Sequence, residues 1–564
     1  MSDNAVQQPQ LPTAADVDGY LNNDPHITNF YAVMALSNSI KTTLGPKGLD
    51  KLLITGDNKI VATNDGASII DRMDIDHPAA KMTTSIVEEQ RTRAGDGTTT
   101  AIVLIGALLN SAVDLINRGV HPSDIIRGNR FATERAVDIL SNQAVDVSVD
   151  RKQLETIAQT AINGKWDSDG REFIADKAVE TVLSVEQDGA VDFSAITRKG
   201  VKGGSYYDSE VIDGLLIDTD SSSTDSVSPT INIQSELENV SVALIDNGLT
   251  IDTASDQGTV TFDSPARRNE LHEYEDQKYI QHANRIIESG ANIVFCQQSI
   301  DDPVIYHLAD EDILAIERTR RDEFEKLKRV TGAKPVADSK YLSANDTGIA
   351  AAVNQRTIAG ANLVTVHADG ETMHSSLLLR GGTRHVVEET KRVIDDCLFV
   401  LRISLRDDAV VPGGGATEVA IAQDLRQHAR TYSGREQLVI EAYADAIEVI
   451  PRTLASTAGY DPVDSLISLR KAHYAGHSSF GLNLNTGQPT NMIDTGVIEP
   501  MAVKRRILTS ITEVANLLLR IDDVLPADRG QDGDEGNHDH SSESKDIITQ
   551  QDGYPWAVGH SMGH

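Results

Sequence analysis

Gly95-Asp96-Gly97-Thr98-Thr99-Thr100 stands directly before the apolar run Ala101-Ile102-Val103-Leu104-Ile105. Glycines let backbone N–H groups close round an anion, and a helix N-terminus adds further N–H groups and the positive end of a dipole. Threonine hydroxyls contribute donors, and a neighbouring Asp can hold Mg²⁺. The stretch therefore describes a phosphate-and-metal site at the start of a helix. An Asp-Gly turn followed by a Thr-rich N-cap accounts for the same residues without a ligand. The decision rests on what the rest of the chain offers to such a site.

Three further stretches have matching chemistry. Thr42-Thr43-Leu44-Gly45-Pro46-Lys47-Gly48 supplies a second backbone loop and a lysine, and Thr63-Asn64-Asp65-Gly66-Ala67 a carboxylate in a tight turn after a strand. Val411-Pro412-Gly413-Gly414-Gly415-Ala416 is a glycine loop opening a helix, where a nucleotide can lie close to backbone. Asp395-Asp396 ends a helix-like segment that starts at Val386. Each has a plainer reading as a turn, a hinge or a solvated helix face. Neither GxxxxGK[ST] nor GxGxxG occurs, which weighs against a P-loop NTPase or a Rossmann dehydrogenase.

The organisation of the chain is legible around these motifs. Residues 1–25 are polar and frayed in character; Ile27 to Asn142 is mostly helical, with a short hairpin pairing Lys51–Ile54 and Lys59–Ala62 around Gly56-Asp57-Asn58. Long helices carry Ile102 to Leu115 and Phe131 to Leu140, and Gly189 to Phe193 reads as a strand. From about 215 to 375, strand patches at Val240–Ile245 and Ala291–Phe295 alternate with helices at Glu270–Ser289 and Asp322–Val330, the mark of an α/β domain; Asp218–Ser228 is a surface loop at its edge. Helical periodicity returns at Ala416–Arg430 and Arg435–Ala455, and residues 526–553 form a solvated acidic tail. With helical blocks at both ends and an α/β block between, the simplest arrangement is one helical domain built from both ends of the chain, with other domains inserted into it.

Composition bounds the partners. The 564 residues carry a formal charge of −34, which argues against nucleic acid, since a phosphate-backbone binder needs a basic footprint. The acidity is spread along the chain and Arg outnumbers Lys, a balance suited to strong salt, where screening removes self-repulsion. Cys296 and Cys397 are the two cysteines, too few for a disulfide framework or a CxxC metal pair. Met1-Ser2-Asp3-Asn4 has no charged-then-apolar signal pattern, and no apolar run is expected to reach the ~20 residues of a membrane span. The expectation is a soluble, cytoplasmic protein with no membrane partner.

The ordered set of motifs resembles the group II chaperonins, the archaeal thermosome and its eukaryotic cytosolic relatives. The resemblance is carried by Thr43 to Lys51, Thr63 to Ala67, His77-Pro78-Ala79-Ala80-Lys81 and Gly95 to Thr100, then by Gly290-Ala291-Asn292-Ile293-Val294, Leu379-Arg380-Gly381-Gly382-Thr383, Val411 to Ala416, Gly496-Val497-Ile498-Glu499-Pro500 and Leu519-Arg520-Ile521-Asp522-Asp523. It covers roughly residues 25–525.

The resemblance implies a multi-domain chaperonin fold: a mainly α-helical equatorial domain (25–150 and 402–525), an inserted α/β intermediate domain (151–216 and 377–401) and an α/β apical domain (217–376), whose helical lid extension falls at Ser264–Tyr279. Subunits of this kind stack, with identical or paralogous copies, into two rings enclosing a chamber for unfolded clients, and need no separate lid co-chaperonin. The resemblance places ATP against Gly45, Gly97, Thr98, Thr99 and Thr100, with Asp96 as the Mg²⁺ ligand. Gly414 borders the nucleotide, and Leu484, Asn485, Glu499 and Lys504 lie near base and ribose. Asp65 and Asp396 match the carboxylates that orient the attacking water, and Asn163 and Lys165 belong to the loop that senses the γ-phosphate.

Some positions depart from the family pattern. Asp395-Asp396-Cys397 stands where His-Asp-Ala is usual, Arg91-Thr92-Arg93 where acidic residues are usual, and a longer acidic tail replaces the Gly-Gly-Met ending. These changes suggest a diverged paralogue, and a second carboxylate at Asp395 could alter Asp396 or attract a cation. A structural ring subunit with weak hydrolysis is the alternative function; a small-molecule phosphotransferase lacks any cluster suggesting an acceptor pocket. The tail residues His538, His540, His560 and His564 are candidate metal ligands against a purely solvating role.

Overall fold

The computed structural model describes residues 25–54, 60–94, 97–146, 150–219, 237–251, 265–370, 373–407 and 409–522, the side chains of 25–26, 89–94 and 265–272 excepted. Asp96, the side chains of Arg91 and Arg93, Ser264, the Gly56-Asp57-Asn58 turn, most of the 218–228 loop and the His-containing tail lie outside the described residues.

Helix Thr98–Asn117 is the axis of the largest core. Its apolar residues recur on several faces, and Ile102, Ile105 and Leu109 have no exposed surface. By length and composition alone this helix could cross a membrane, although Asn110, Ser111 and Asp114 interrupt its apolar run, as the sequence expectation has it. Its surroundings show why such a run exists here: Pro25–Lys41, Arg435–Ile447 and Met501–Leu518 pack around it, so most of its face is internal. The two ends of the chain thus share one core, running from Phe30 to Leu140 and from Ile403 to Leu519. Buried polar contacts pin them: Asn129 Nδ2 donates to Asn516 Oδ1 at 3.1 Å, and the hydroxyls of Thr133, Tyr443 and Thr512 join one another.

A second core joins helices Arg151–Ala161, Ser168–Val185 and Arg384–Asp407 to a three-stranded sheet in which Ser375–Gly381 pairs parallel with Ile196–Lys202 and antiparallel with Glu210–Asp213. Beyond it lies a six-stranded mixed sheet ordered Leu314–Ile316, Ile293–Cys296, Leu237–Ile245, Gly348–Ile358, Ala361–Ala368, Leu215–Asp218. Its strands alternate in the period-2 manner. Val242 and Leu244 face helix Arg321–Thr331 through Phe324 and Leu327, whereas Ala243 and Ile245 face helices Pro265–Ser289 and Asp302–Ala309. Both faces are covered there, which is why Val242–Ile245 and Ile293–Cys296 are unbroken apolar runs, whereas the outer part of Gly348–Ile358 carries Asn354, Gln355 and Arg356.

Three elements differ from the sequence reading. The segment expected to end at Asp395-Asp396 continues as one helix, Arg384–Asp407. Cys397, Leu398, Leu401 and Leu405 extend its buried stripe, so the expected boundary at 401/402 falls inside an unbroken helix. The stretch Arg435–Ala455 is two helices, Arg435–Ile447 and Val449–Thr457. Pro451 explains the break, because its ring excludes the carbonyl four residues earlier, that of Ile447. Gly189–Phe193 shrinks to the two-residue strand Ala190–Val191; Asp192 then caps a short 3-10 turn, its side chain accepting from the Ser194 amide.

Candidate functional site: a cavity between two cores

A cavity of about 600 Å³ opens where the first two cores meet, within the ~300–1,000 Å³ usual for small-molecule sites. Gly45, Asp65, Gly97, Thr98, Thr99, Thr100, Asn163, Lys165, Asp396, Gly414, Leu484, Asn485, Glu499 and Lys504 all line it. Of the residues nominated for the nucleotide and its metal, Asp96 alone lies outside the described residues.

Close backbone approach assembles the walls. Gly97 precedes helix Thr98–Asn117 at φ +91°, and a Cβ there would lie 2.5 Å from Ile507 Cδ1, so only glycine admits this entry to the helix. The adjoining amides of Thr98–Thr100 belong to the first helical turn, which has no carbonyl one turn earlier to accept from it. The Asp65 turn packs against the same helix start: a Cβ on Gly66 would meet Thr99 Oγ1 at 2.0 Å. Gly45 and Pro46 form the next wall, touched by the Asn163-Gly164-Lys165 turn that follows helix Arg151–Ala161. The Gly413–Gly415 loop opens helix Ala416–Ala429, Gly415 packing on Pro451 one turn from the Leu454 that backs Gly45, and Leu482 N donates to Gly414 O at 2.9 Å.

Asp65, Lys165 and Asp396 form one charged group in the lining, and Glu499 with Lys504 another. Asp65 caps helix Gly66–Arg72, with Ser68 N donating to Oδ2 at 3.0 Å. Lys165 is ion-paired with Asp396 and lies 3.9 Å from Asp65 Oδ1, so one ammonium links carboxylates from the two cores. Burial would raise the Asp65 pKa; Lys165 and Arg392, helped by Ser68, outweigh it and hold the carboxyl below its ordinary value. Asp65 therefore stays anionic across the neutral range.

Lys504, expected near base and ribose, lines the cavity as an ion-paired group. Its ammonium is 2.6 Å from Glu418 Oε1 and 3.0 Å from Glu499 Oε2, with 7% of its side chain exposed. Burial works against its charge, yet the two glutamates overcome this and raise its pKa. Lys504 thus reaches the cavity already committed to two carboxylates, and its evident effect is to hold Glu499 in the wall. Asp395, next to Asp396, is ion-paired with Arg198 of strand Ile196–Lys202 and is not part of the cavity lining.

Residues that sequence reasoning passed over also belong here. Trp166 and Arg171 line the cavity; Arg171 donates to Asn163 Oδ1, and the Trp166 ring meets Tyr206 edge-on at 4.3 Å. Met492 lies beneath Gly414. Arg392 touches Asp65 from behind. The spacing of Arg392 and Asp396, four apart on one helix, was a usable signal.

The arrangement suits a nucleotide: backbone turns and a helix start for phosphates, Lys165 beside the carboxylates, and apolar and amide groups at Leu484 and Asn485 for the remainder. Among the described residues no group of three or more His, Cys, Asp or Glu could hold a metal ion by itself. The carboxylates of Asp65 and Asp396 in the lining are a donor set of the kind Mg²⁺ takes together with substrate phosphates.

Comparison with known proteins agrees in kind. Residues 36–529 match the model of the TCP-1/cpn60 chaperonin family. The chain is 39% identical over 540 residues to thermosome subunit alpha of Halobacterium salinarum, covering 96% of this chain and 95% of that one. It is 38% identical over 528 residues to a thermosome subunit of Methanothermococcus thermolithotrophicus (93% and 96% covered) and 37% over 533 residues to thermosome subunit 1 of Haloferax volcanii (94% of each).

Proposed function

The chain belongs to the TCP-1/cpn60 chaperonin family as an ATP-dependent group II chaperonin subunit that assembles into rings, and from that premise we propose how its cavity drives a folding chamber. ATP lies with its phosphates at Gly45 and Gly97–Thr100 and its base and ribose toward Gly414, Leu484, Asn485 and Glu499. Asp65 and Asp396 orient the attacking water; in a loose phosphoryl-transfer transition state this positioning outweighs proton abstraction. Asn163 and Lys165 read the terminal phosphate. Asp96, together with phosphate oxygens, would hold Mg²⁺, which would neutralise charge on the phosphates.

The observation that carries this reading is the Asp65–Lys165–Asp396 link. It joins a carboxylate of the helical core to one on helix Arg384–Asp407, whose residues build the second core. ATP is expected to favour the closed arrangement through contacts available only when both carboxylates converge. Hydrolysis removes those contacts and reopens the chamber. A client held inside folds shielded from aggregation. The equatorial, intermediate and apical division, with a helical lid near residues 264–279, is the frame for that motion.

The acidic composition and the Halobacterium and Haloferax relatives support a halophilic, cytoplasmic setting. The Asp395 and Cys397 departures support a diverged member of a paralogous set. The test is Mg-dependent ATPase activity, with double-ring particles by electron microscopy and refolding of a denatured client. Full ATPase activity in Asp96→Ala protein would overturn the metal assignment.

A further inference from the structure

Arg392 lies one helical turn before Asp396 on helix Arg384–Asp407, with 19% of its side chain exposed. Its guanidinium reaches into the segment that carries Asp65. Nη1 is 3.3 Å from Asp65 Oδ2 and also donates to the Ser68 hydroxyl; Nη2 donates to Thr63 Oγ1 at 3.4 Å and is ion-paired with Glu389 on its own helix. Thr63, Asp65 and Ser68 are the last strand residue, the cap and the first helical turn of one strand–turn–helix unit. One planar group therefore spans three successive parts of that unit.

Two details separate Arg392 from the residues already discussed. It lies outside the cavity lining, so it stands behind Asp65 while Lys165 approaches from the cavity side. It also shares a helix face with Asp396, which is paired to that same Lys165. Asp65 and Asp396 are thus connected twice, through Lys165 in the cavity and through Arg392 and the helix backbone behind it. The first connection must yield when a phosphate draws the ammonium away; the second touches no substrate and can persist.

We infer that Arg392 is a positioning residue for ATP hydrolysis, tying the helix that carries Asp396 to the turn that carries Asp65 and so fixing the separation of the two carboxylates. This rests on the proposed role of those carboxylates in orienting water. The fork of the guanidinium is required, because it engages Asp65 and the neighbouring hydroxyls together; a lysine is a point charge and satisfies one of them.

The test uses the assembled ring. Arg392→Gln should lower kcat for ATP on the order of 10²-fold, the scale of a small misplacement of reacting groups. KM for ATP and calorimetric ADP affinity should stay near wild type, since the cavity lining is untouched. Arg392→Lys should recover part of kcat and guards against a Gln variant that fails to assemble. In an Asp65→Asn background, Arg392→Gln should add little further loss, because the pair acts as a unit. Unchanged kcat in Arg392→Gln, parallel loss of kcat and ADP affinity, or fully additive losses with Asp65→Asn would each overturn the inference. Normal hydrolysis by both Asp65→Asn and Asp396→Ala would instead overturn the catalytic reading, and this inference with it.

Discussion

Two charge clusters in this molecule use the same chemistry to opposite ends. At the break between helices Arg435–Ile447 and Val449–Thr457, Glu448 is completely buried. Arg426 reaches both its oxygens, at 3.0 and 2.6 Å, Arg470 Nε lies 2.8 Å from Oε1, and Arg452 Nη2 is 3.5 Å from Oε2. Every member belongs to the helical block built from the C-terminal part of the chain. The Asp65–Lys165–Asp396–Arg392 cluster has comparable pairing but draws its members from two cores. A cluster confined to one block of helices stabilises that block. A cluster divided between two cores reports their relative position, and a ligand competing for its lysine can bias that position.

The contrast is broken most severely at the cavity. Asp396→Ala should reduce ATP turnover by roughly 10²–10⁴-fold, the range for losing a group that positions or accepts a proton, with little change in thermal stability. If its ATPase survives while its melting temperature collapses, the divided cluster is structural and the comparison fails. Glu448→Ala should behave inversely. Removing the carboxylate leaves its guanidiniums without their buried counter-charge, a loss on the order of 3 kcal/mol, visible as a lower urea midpoint with near-normal ATPase below the transition.

Gly97→Ala sharpens the cavity's geometric side. It forces a side chain into a left-handed position and against Ile507, costing about 1–3 kcal/mol, and should appear chiefly as weaker nucleotide binding by calorimetry. Acid titration compares the clusters directly. For both Asp65 and Glu448 burial alone would raise the pKa, and the adjoining cations reverse it and hold the folded value below normal. Each therefore adds stability above the ordinary carboxylate pKa of ~4 and loses it as pH falls through the depressed folded value. Denaturation below about pH 4 should set in at higher pH in Arg392→Gln than in wild type. The smallest effect is expected for Asp395→Asn: its partner Arg198 is a third exposed and the pair lies off the cavity, so stability should change by less than ~1 kcal/mol and turnover hardly at all.

What was legible in the sequence follows from range. The Lys51–Ile54 hairpin arm, the helix after Thr98 and the two-faced strand Val240–Ile245 are set by local periodicity, and the structure contains each of them. The motifs at Gly45, Asp65, Gly97 and Gly414 fall on one cavity because each is a backbone device, glycine or cap, that marks close approach; Asp396 and Lys165 reach it as side chains from helix and turn. Long-range pairing was not legible. Glu418 meets Lys504 across 86 positions, and no spacing rule announces that Lys504 arrives already paired. The helix stop placed at Asp395-Asp396 failed because two acidic residues suggested solvent, whereas the apolar stripe beside them runs on to Leu405. The break at Glu448 was available from Pro451 alone.

Helix Arg384–Asp407 has a mechanical consequence. Its 24 residues make a rod about 36 Å long at 1.5 Å per residue. Ile403, near one end, is seated in the helical core, and the other end is flanked by Gly381 and Gly382 beside the three-stranded sheet. Asp396 sits near the middle, as a fulcrum does on a beam. A tilt of roughly 10° about that point carries the Arg384 end through about 3 Å, from an arm of about 18 Å. Such a tilt would move Asp396, at the pivot, by less than a bond length while sliding one layer of side chains past another at the sheet end.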